Sequence, residues 1–413
     1  MQHTVGLYGY DEDAIHVVDM HTTGEATRII IQGYPELKGT TLLEKRRDAK
    51  LRLDHLRRRL MFEPRGHRDM YGALLVRETE HVFDGTADIG VLFLHNEGYS
   101  TMCGHATLAL GRFLVDTHDS TVFPGRKDLP YDSESQTSTV RIHAPCGVVT
   151  VTVPTTIKQI GGNDVHVSDP SRAVSFTSVP CYVSLLSYTL PIPQTHTWPH
   201  LEELGKSDIQ ISIAYGGAFY CLVEARELGF QDGLRTKGIE LEDYDRATGK
   251  IKALIESDEE FCKRYLRHPD EPDLSFLYSV MIVDHDVPSA NLSSSPPAEV
   301  GLCFFADQQV DRSPTGSCAG ARVALRMAEG TMRMNEPRDF HSLVSLAKVG
   351  SGDALDRGAF RALGIEETKL SDGTSAVVVR LDGKAWYTGT SIFVAEKLDE
   401  IARNGFQLRL PNA

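Results

Sequence analysis

The chain has 413 residues, of which 41% are hydrophobic and 24% charged, with a formal charge of −14; this is an ordinary globular composition with room for two or three domains. The acidic excess argues against a nucleic-acid partner, whose phosphates are held by clustered Lys and Arg, and the absence of any run of about 18 apolar residues argues against a membrane span. The polar start Met1 to Ile15, with Asp11, Glu12 and Asp13, fits neither a secretory signal nor an Arg-rich transit peptide, so a cytoplasmic protein is expected.

In chain order, Ile15 to Asp19 reads as a strand, His21-Thr22-Thr23-Gly24-Glu25 as a turn and Arg28 to Gln32 as a second strand, together a hairpin or a tight strand pair. From Thr41 to Phe62, the spacing of Leu42, Leu53, Leu56 and Leu60, with Lys45, Arg46, Arg47, Arg57, Arg58 and Arg59 between, predicts an amphipathic helix with a solvated basic face. Alternating segments predict strands at Ala73 to Val76, Ile89 to Phe93, Val140 to His143 and Val148 to Val153, and so a mixed α/β architecture. Asp116 to Thr139 and Glu227 to Pro272 read as inserts, either surface loops or a small helical excursion, and Val287 to Pro297 as an exposed loop.

Two segments share the plan of a small-residue turn followed by a helix start: Met102-Cys103-Gly104-His105-Ala106 and Pro314-Thr315-Gly316-Ser317-Cys318, roughly half the chain apart. A helix start presents unpaired N–H groups and a positive dipole end, which bind carboxylates and favour the thiolate of a neighbouring cysteine. Two such starts aimed at one cavity would grip an amino-acid carboxylate, with Cys103 and Thr315 beside its α-carbon. A thiol with a lowered pKa is a competent base near neutrality and a threonine hydroxyl is not. The cysteines at 103, 146, 181, 221, 262, 303 and 318 form no C-x-x-C pair, so neither a disulfide framework nor a zinc site is expected. Cys318 follows Thr315 by three residues, about 4.5 Å along a helix, which sets it too deep to replace a thiol at position 315. Cys146, Cys181, Cys221, Cys262 and Cys303 read as structural, most of them as buried small hydrophobes. No phosphate loop, metal-ligand cluster or dinucleotide fingerprint is present, and no cofactor or metal is expected.

The sequence resembles the proline racemase family, which includes hydroxyproline epimerases and trans-3-hydroxy-L-proline dehydratases. The resemblance rests on Asp19-Met20-His21-Thr22-Thr23-Gly24-Glu25, Glu63-Pro64-Arg65-Gly66-His67 with Asp69-Met70-Tyr71-Gly72, the two helix-start motifs, Ala214-Tyr215-Gly216-Gly217-Ala218-Phe219-Tyr220, Asp311-Arg312-Ser313 and Ala385-Trp386-Tyr387-Thr388-Gly389. It implies a diaminopimelate-epimerase-like α/β (α+β) fold: two pseudo-symmetric α/β domains, each with a central helix wrapped by strands and the active site in the cleft between them. The halves are expected at 14–200, carrying Cys103, and at 201–391, carrying Asp311 and Thr315 with the insert 227–272; a segment of about 392–413 crosses back to the first.

The racemase and epimerase branch carries a cysteine at both helix starts, as inversion at the α-carbon requires. The pair Cys103 and Thr315 matches the dehydratase branch instead. The resemblance assigns catalysis to Cys103 and Thr315, and substrate binding to Gly104, His105, Asp311, Gly316, Ser317, Tyr71 and Phe305. Asp311 would hold the ring ammonium and the backbone around both glycines the carboxylate. His67 is read as structural. In trans-3-hydroxy-L-proline the hydroxyl shares a ring face with the α-hydrogen, so one thiol suffices for a syn elimination to Δ1-pyrroline-2-carboxylate. Proline racemisation or hydroxyproline epimerisation, and non-catalytic binding of a small amino acid, are the alternatives. The expected partners are the small-molecule substrate and a second copy in a homodimer.

Overall fold

The hairpin placed at the start of the chain forms, and its turn shows why the sequence reads as it does. Strands Ile15–Thr22 and Glu25–Gln32 pair antiparallel, with Thr22 opposite Glu25. The two residues between them, Thr23 and Gly24, both have positive φ, at 55° and 88°. This is the backbone twist that two-residue hairpins require and that Gly supplies at little cost. The computed structural model describes residues 14–285, 296–348 and 352–408. The predicted loop at Val287 to Pro297 lies almost wholly outside the described residues.

Contacts divide the chain into two units. Among the described residues the first comprises 14–101, 105–174 and 385–408. Its C-terminal portion enters through strand Trp386–Phe393, which pairs antiparallel with Ile15–Thr22. On the other side of the hairpin, Gly72–Val76 runs parallel to Glu25–Gln32. Ile89–Leu94 then pairs with Gly72–Val76, Thr137–Ala144 with Ile89–Leu94, and Gly147–Ile160 with Thr137–Ala144. The helix Gly104–Asp116 supplies Leu108, Leu110 and Leu114, all fully buried, to this unit's core. A Cβ at Gly111 would lie 2.3 Å from Val151 Cγ1, so glycine there lets the helix close onto the sheet.

The segment read as one helix from Thr41 to Phe62 is instead two, Leu42–Arg52 and Asp54–Met61, broken at Leu53. Thr41 and Glu44 form a capping box at the first. Several of the basic residues are tied down rather than left to solvent: Lys45 reaches Glu78 O, Arg46 binds Tyr99 O, Arg52 pairs with Asp48, and Arg57 pairs with Asp54 and caps the carbonyls of His95 and Asn96.

The second unit comprises 102–104 and 175–384. Strands Tyr182–Pro191, Asp208–Tyr215 and Phe219–Glu224 pair antiparallel in sequence. Leu277–Asp284 joins Phe219–Glu224 in parallel, followed by Ala298–Phe305 and Gln309–Asp311 as antiparallel neighbours. The helix Gly316–Ala328 is buried from Gly316 through Arg326. Within it Arg322 pairs with Glu299, both side chains fully buried. Burial opposes ionisation of Glu299, but Arg322, Arg326 and Arg338 around it hold its carboxyl down to about 2. The insert 227–272 contains two helices, Leu241–Ser257 and Glu259–Tyr265.

Two buried histidines make stability depend on pH. Desolvation pushes His143 and His341 down from 6.5 to about 4. Above pH 6.5 both are neutral whether folded or unfolded. Between pH 6.5 and 4 the unfolded chain takes up protons that the folded chain refuses, so stability falls with pH by an amount of the order of 2 kcal/mol per histidine. Urea midpoints measured at pH 7 and pH 4.5 are expected to show this fall, and a His143→Gln variant to show less of it. An unchanged dependence in that variant would remove His143 from the account.

Candidate active site

Both helices that carry expected site residues begin at a glycine. Gly104–Asp116 starts directly after Cys103, and Gly316–Ala328 directly after Thr315. Residues 102–104 group with the second unit, as does the whole of the second helix. A Cβ built on Gly104 would lie 2.5 Å from Gly316 Cα, 2.8 Å from its carbonyl carbon and 2.9 Å from Ser317 N, while one on Gly316 would lie 2.9 Å from Gly104 Cα. The two helix starts therefore meet backbone to backbone, an approach that only glycine permits. Cys103 is 5% exposed and Thr315 6%.

A ladder of short-range bonds sets the second start. Asp311 ends strand Gln309–Asp311, and its Oδ1 accepts a hydrogen bond from Ser313 N at 2.7 Å; Ser313 Oγ in turn accepts from Thr315 N at 3.1 Å. Thr315 is held at φ 59°, ψ 82°, in the left-handed region. A β-branched residue there is a conformational outlier that costs about 1–3 kcal/mol. Thr315 makes no side-chain cap to its helix. Its buried hydroxyl has no hydrogen-bond partner among the described residues. Ser317 Oγ lies 2.6 Å from the hydroxyl of Tyr220. Gly216 presses on the same turn, since a Cβ there would meet Ser317 O at 2.1 Å. Phe305, 2% exposed, stacks on Tyr278 with ring centroids 5.5 Å apart.

The other expected site residues, Tyr71 and His105, lie in the first unit, 1% and 3% exposed. Their rings meet edge to face with centroids 4.8 Å apart. Thr22, from the hairpin turn, donates through Oγ1 to His105 O at 3.0 Å. Tyr71 O accepts from Arg28 N at 2.9 Å, and the Arg28 guanidinium forms a two-point ion pair with Asp19, 3.0 Å on each arm. These contacts explain why the Asp19 to Glu25 motif matters: it braces the helix start and the segment that carries Tyr71.

Cys318 is fully buried, and desolvation pushes its thiol well above the ordinary value. Burial and this shift agree with reading Cys318 as a packing residue. Cys181, pushed up to about 12 by the same cause, touches Gly320, where a Cβ would lie 3.0 Å from its Sγ. His67 caps its own turn, accepting at Nδ1 from Asp69 N at 3.2 Å, which agrees with its structural reading. Sequence reasoning assigned no role to Tyr220, Gly216 or Thr22, although all three lie in motifs that carried the resemblance; a tyrosine or threonine in a strand or turn gives no local sign of what it will bond. No group of three or more His, Cys, Asp or Glu side chains among the described residues is placed to hold a metal ion. No helix among them is long and apolar enough to cross a membrane.

This constellation on this fold defines a class. The proline racemase family profile matches residues 17–407, and the chain belongs to that family. It is 40% identical over 401 residues to trans-L-3-hydroxyproline dehydratase of Bos taurus, covering 96% of this chain and 95% of that protein. It is 41% identical over 396 residues to trans-3-hydroxy-L-proline dehydratase of Homo sapiens, with the same coverage of 96% and 95%. Among solved structures, a hydroxyproline epimerase from Agrobacterium vitis with bound trans-4-hydroxy-L-proline superposes with a TM-score of 0.71 at 22% identity, covering 97% of each chain. That similarity shows the fold, a mixed α/β fold of the kind the resemblance implied.

Proposed function

We propose that this chain dehydrates trans-3-hydroxy-L-proline to Δ1-pyrroline-2-carboxylate. The observation that carries the reading is the asymmetry of the two abutting helix starts: a cysteine precedes Gly104, a threonine precedes Gly316, and the nearby Cys318 is buried and held protonated. The names of the 40%-identical relatives support it. The Cys103 thiolate takes the α-proton, and the C–H electrons form the C2–C3 double bond as the C3–O bond breaks. The new Cys103 thiol protonates the departing hydroxide on the same ring face, which releases water and restores the thiolate. The enamine then moves its N–H proton to C3 and becomes the cyclic imine. N–H groups at Gly104, His105, Gly316 and Ser317 hold the carboxylate, Asp311 the ring ammonium, and Thr315 hydrogen-bonds without exchanging protons. Tyr71 and Phe305 wall the pocket.

Incubation with trans-3-hydroxy-L-proline in D2O, followed by NMR, tests this. The expected result is loss of substrate to an imino acid that an added reductant converts to proline. Accumulation of α-deuterated, inverted substrate without water loss would falsify dehydration and favour epimerisation. A Thr315→Cys variant places a thiol at the second start and is expected to gain α-deuterium exchange with inversion of proline or 4-hydroxyproline; no exchange in a folded variant counts against the one-sided account. The same reading carries a cytoplasmic homodimer that works without a cofactor, tested by sedimentation of the purified chain and by activity after dialysis against a chelator.

A further inference from the structure

We infer that Tyr220 is a positioning residue that holds Ser317 in place for carboxylate binding at the start of the Gly316–Ala328 helix. This rests on the proposed function, because it concerns how that substrate's carboxylate is gripped. Ser317 is the second residue of the helix, where backbone N–H groups have no intrahelical partner. A serine in a first turn readily folds its own hydroxyl back onto such groups, which would occupy donors that a ligand needs. Here the side chain is held away by Tyr220, whose hydroxyl lies 2.6 Å from Ser317 Oγ in a fully buried contact. Burial raises the Tyr220 phenol well above its ordinary value, so it stays neutral and keeps its proton. When the phenol donates in this bond, Ser317 keeps its own proton for a carboxylate oxygen.

The surroundings fix the phenol in turn. Tyr220 sits on strand Phe219–Glu224, its ring edge to face with Tyr278 at 6.0 Å, and Tyr278 stacks on Phe305 at 5.5 Å. A continuous aromatic row thus joins the helix start to the expected pocket wall. Gly216 also abuts Ser317, since a Cβ there would lie 2.1 Å from its carbonyl oxygen, so the turn is met by both a hydroxyl and a backbone.

The test is a double-mutant cycle on turnover of trans-3-hydroxy-L-proline, using Tyr220→Phe, Ser317→Ala and the double variant. Tyr220→Phe keeps the ring packing and removes only the hydroxyl. A hydrogen bond acting through substrate binding predicts a KM raised about tenfold with kcat within about twofold, and a double variant no worse than Ser317→Ala alone. A purely structural role would lower kcat and the melting temperature together without that split. Wild-type KM in Tyr220→Phe, or losses that multiply in the double variant, overturn the proposal. If the wild-type chain binds the substrate without turning it over, the functional reading fails separately, and the same cycle is read from calorimetric affinity for L-proline. Undiminished affinity in Tyr220→Phe, or no binding of either compound by the wild type, overturns the positioning role.

Discussion

Replacing Cys103 by Ala is expected to lower turnover of trans-3-hydroxy-L-proline about 10³–10⁴-fold while leaving the fold intact. The proposed chemistry uses this one sulfur twice, first to take the α-proton and then to return it to the hydroxide, and general acid–base catalysis by a positioned group contributes about 10²–10⁴. Cys318, the cysteine nearest in sequence to the second helix start, is fully buried with its thiol pushed well above the ordinary value, so the reaction is expected to depend on Cys103. Removing a sulfur atom from a site that is 5% exposed leaves a small cavity, which costs less than the 2–5 kcal/mol typical of a large aliphatic truncation. Turnover within tenfold of wild type, in a variant whose circular dichroism and melting curve match the parent, would remove Cys103 from the reaction. A Cys103→Ser variant should behave like the alanine, because a hydroxyl at neutral pH is not a base of comparable strength.

The second large effect is expected from Gly104→Ala. In an ordinary helix this change is favourable by up to about 1 kcal/mol. Here the new Cβ would sit 2.5 Å from Gly316 Cα and 2.9 Å from Ser317 N, which are backbone atoms that no rotamer change can move. Overpacking of this kind costs about 1–3 kcal/mol, so the clash outweighs the helix propensity. Relief requires the two helix starts to separate, and a displacement approaching 1 Å at a reacting centre costs about 10²-fold in rate. The expected result is a destabilised protein with kcat/KM down about 100-fold. Gly316→Ala, whose Cβ would meet Gly104 Cα at 2.9 Å, should act in the same direction and less strongly. A Gly104→Ala variant that melts higher than the parent and keeps full activity would show that the starts do not need their close approach.

Thr315 stands directly before the second of these helix starts. Its left-handed backbone is held by the Asp311–Ser313–Thr315 ladder, so the fold sustains local strain to place a hydroxyl that bonds nothing among the described residues. Strain of this kind persists where the surroundings over-determine it, and it concentrates at functional sites.

Much of the local backbone around the candidate site was legible in the residues alone, because its signals are local. A glycine opening a helix after Cys103, another after Thr315, and Thr23-Gly24 at a hairpin turn each follow from backbone conformations that few residue types adopt. The Cys and Thr pair likewise expresses a chemical difference that needs no coordinates. Tertiary structure alone decided what those residues touch. Leu53 breaks what periodicity reads as one helix, since each half buries a different set of side chains. The bond from Tyr220 to Ser317 spans 97 positions and that from Thr22 to His105 spans 83. Hydrogen bonds over such separations leave no periodicity in the chain. The sequence by itself determined that a cysteine precedes one helix-opening glycine and a threonine, which is no base near neutrality, the other; only the fold decided that the two helix starts meet at their glycines, because that meeting is a contact between backbones, which carry no side-chain signature.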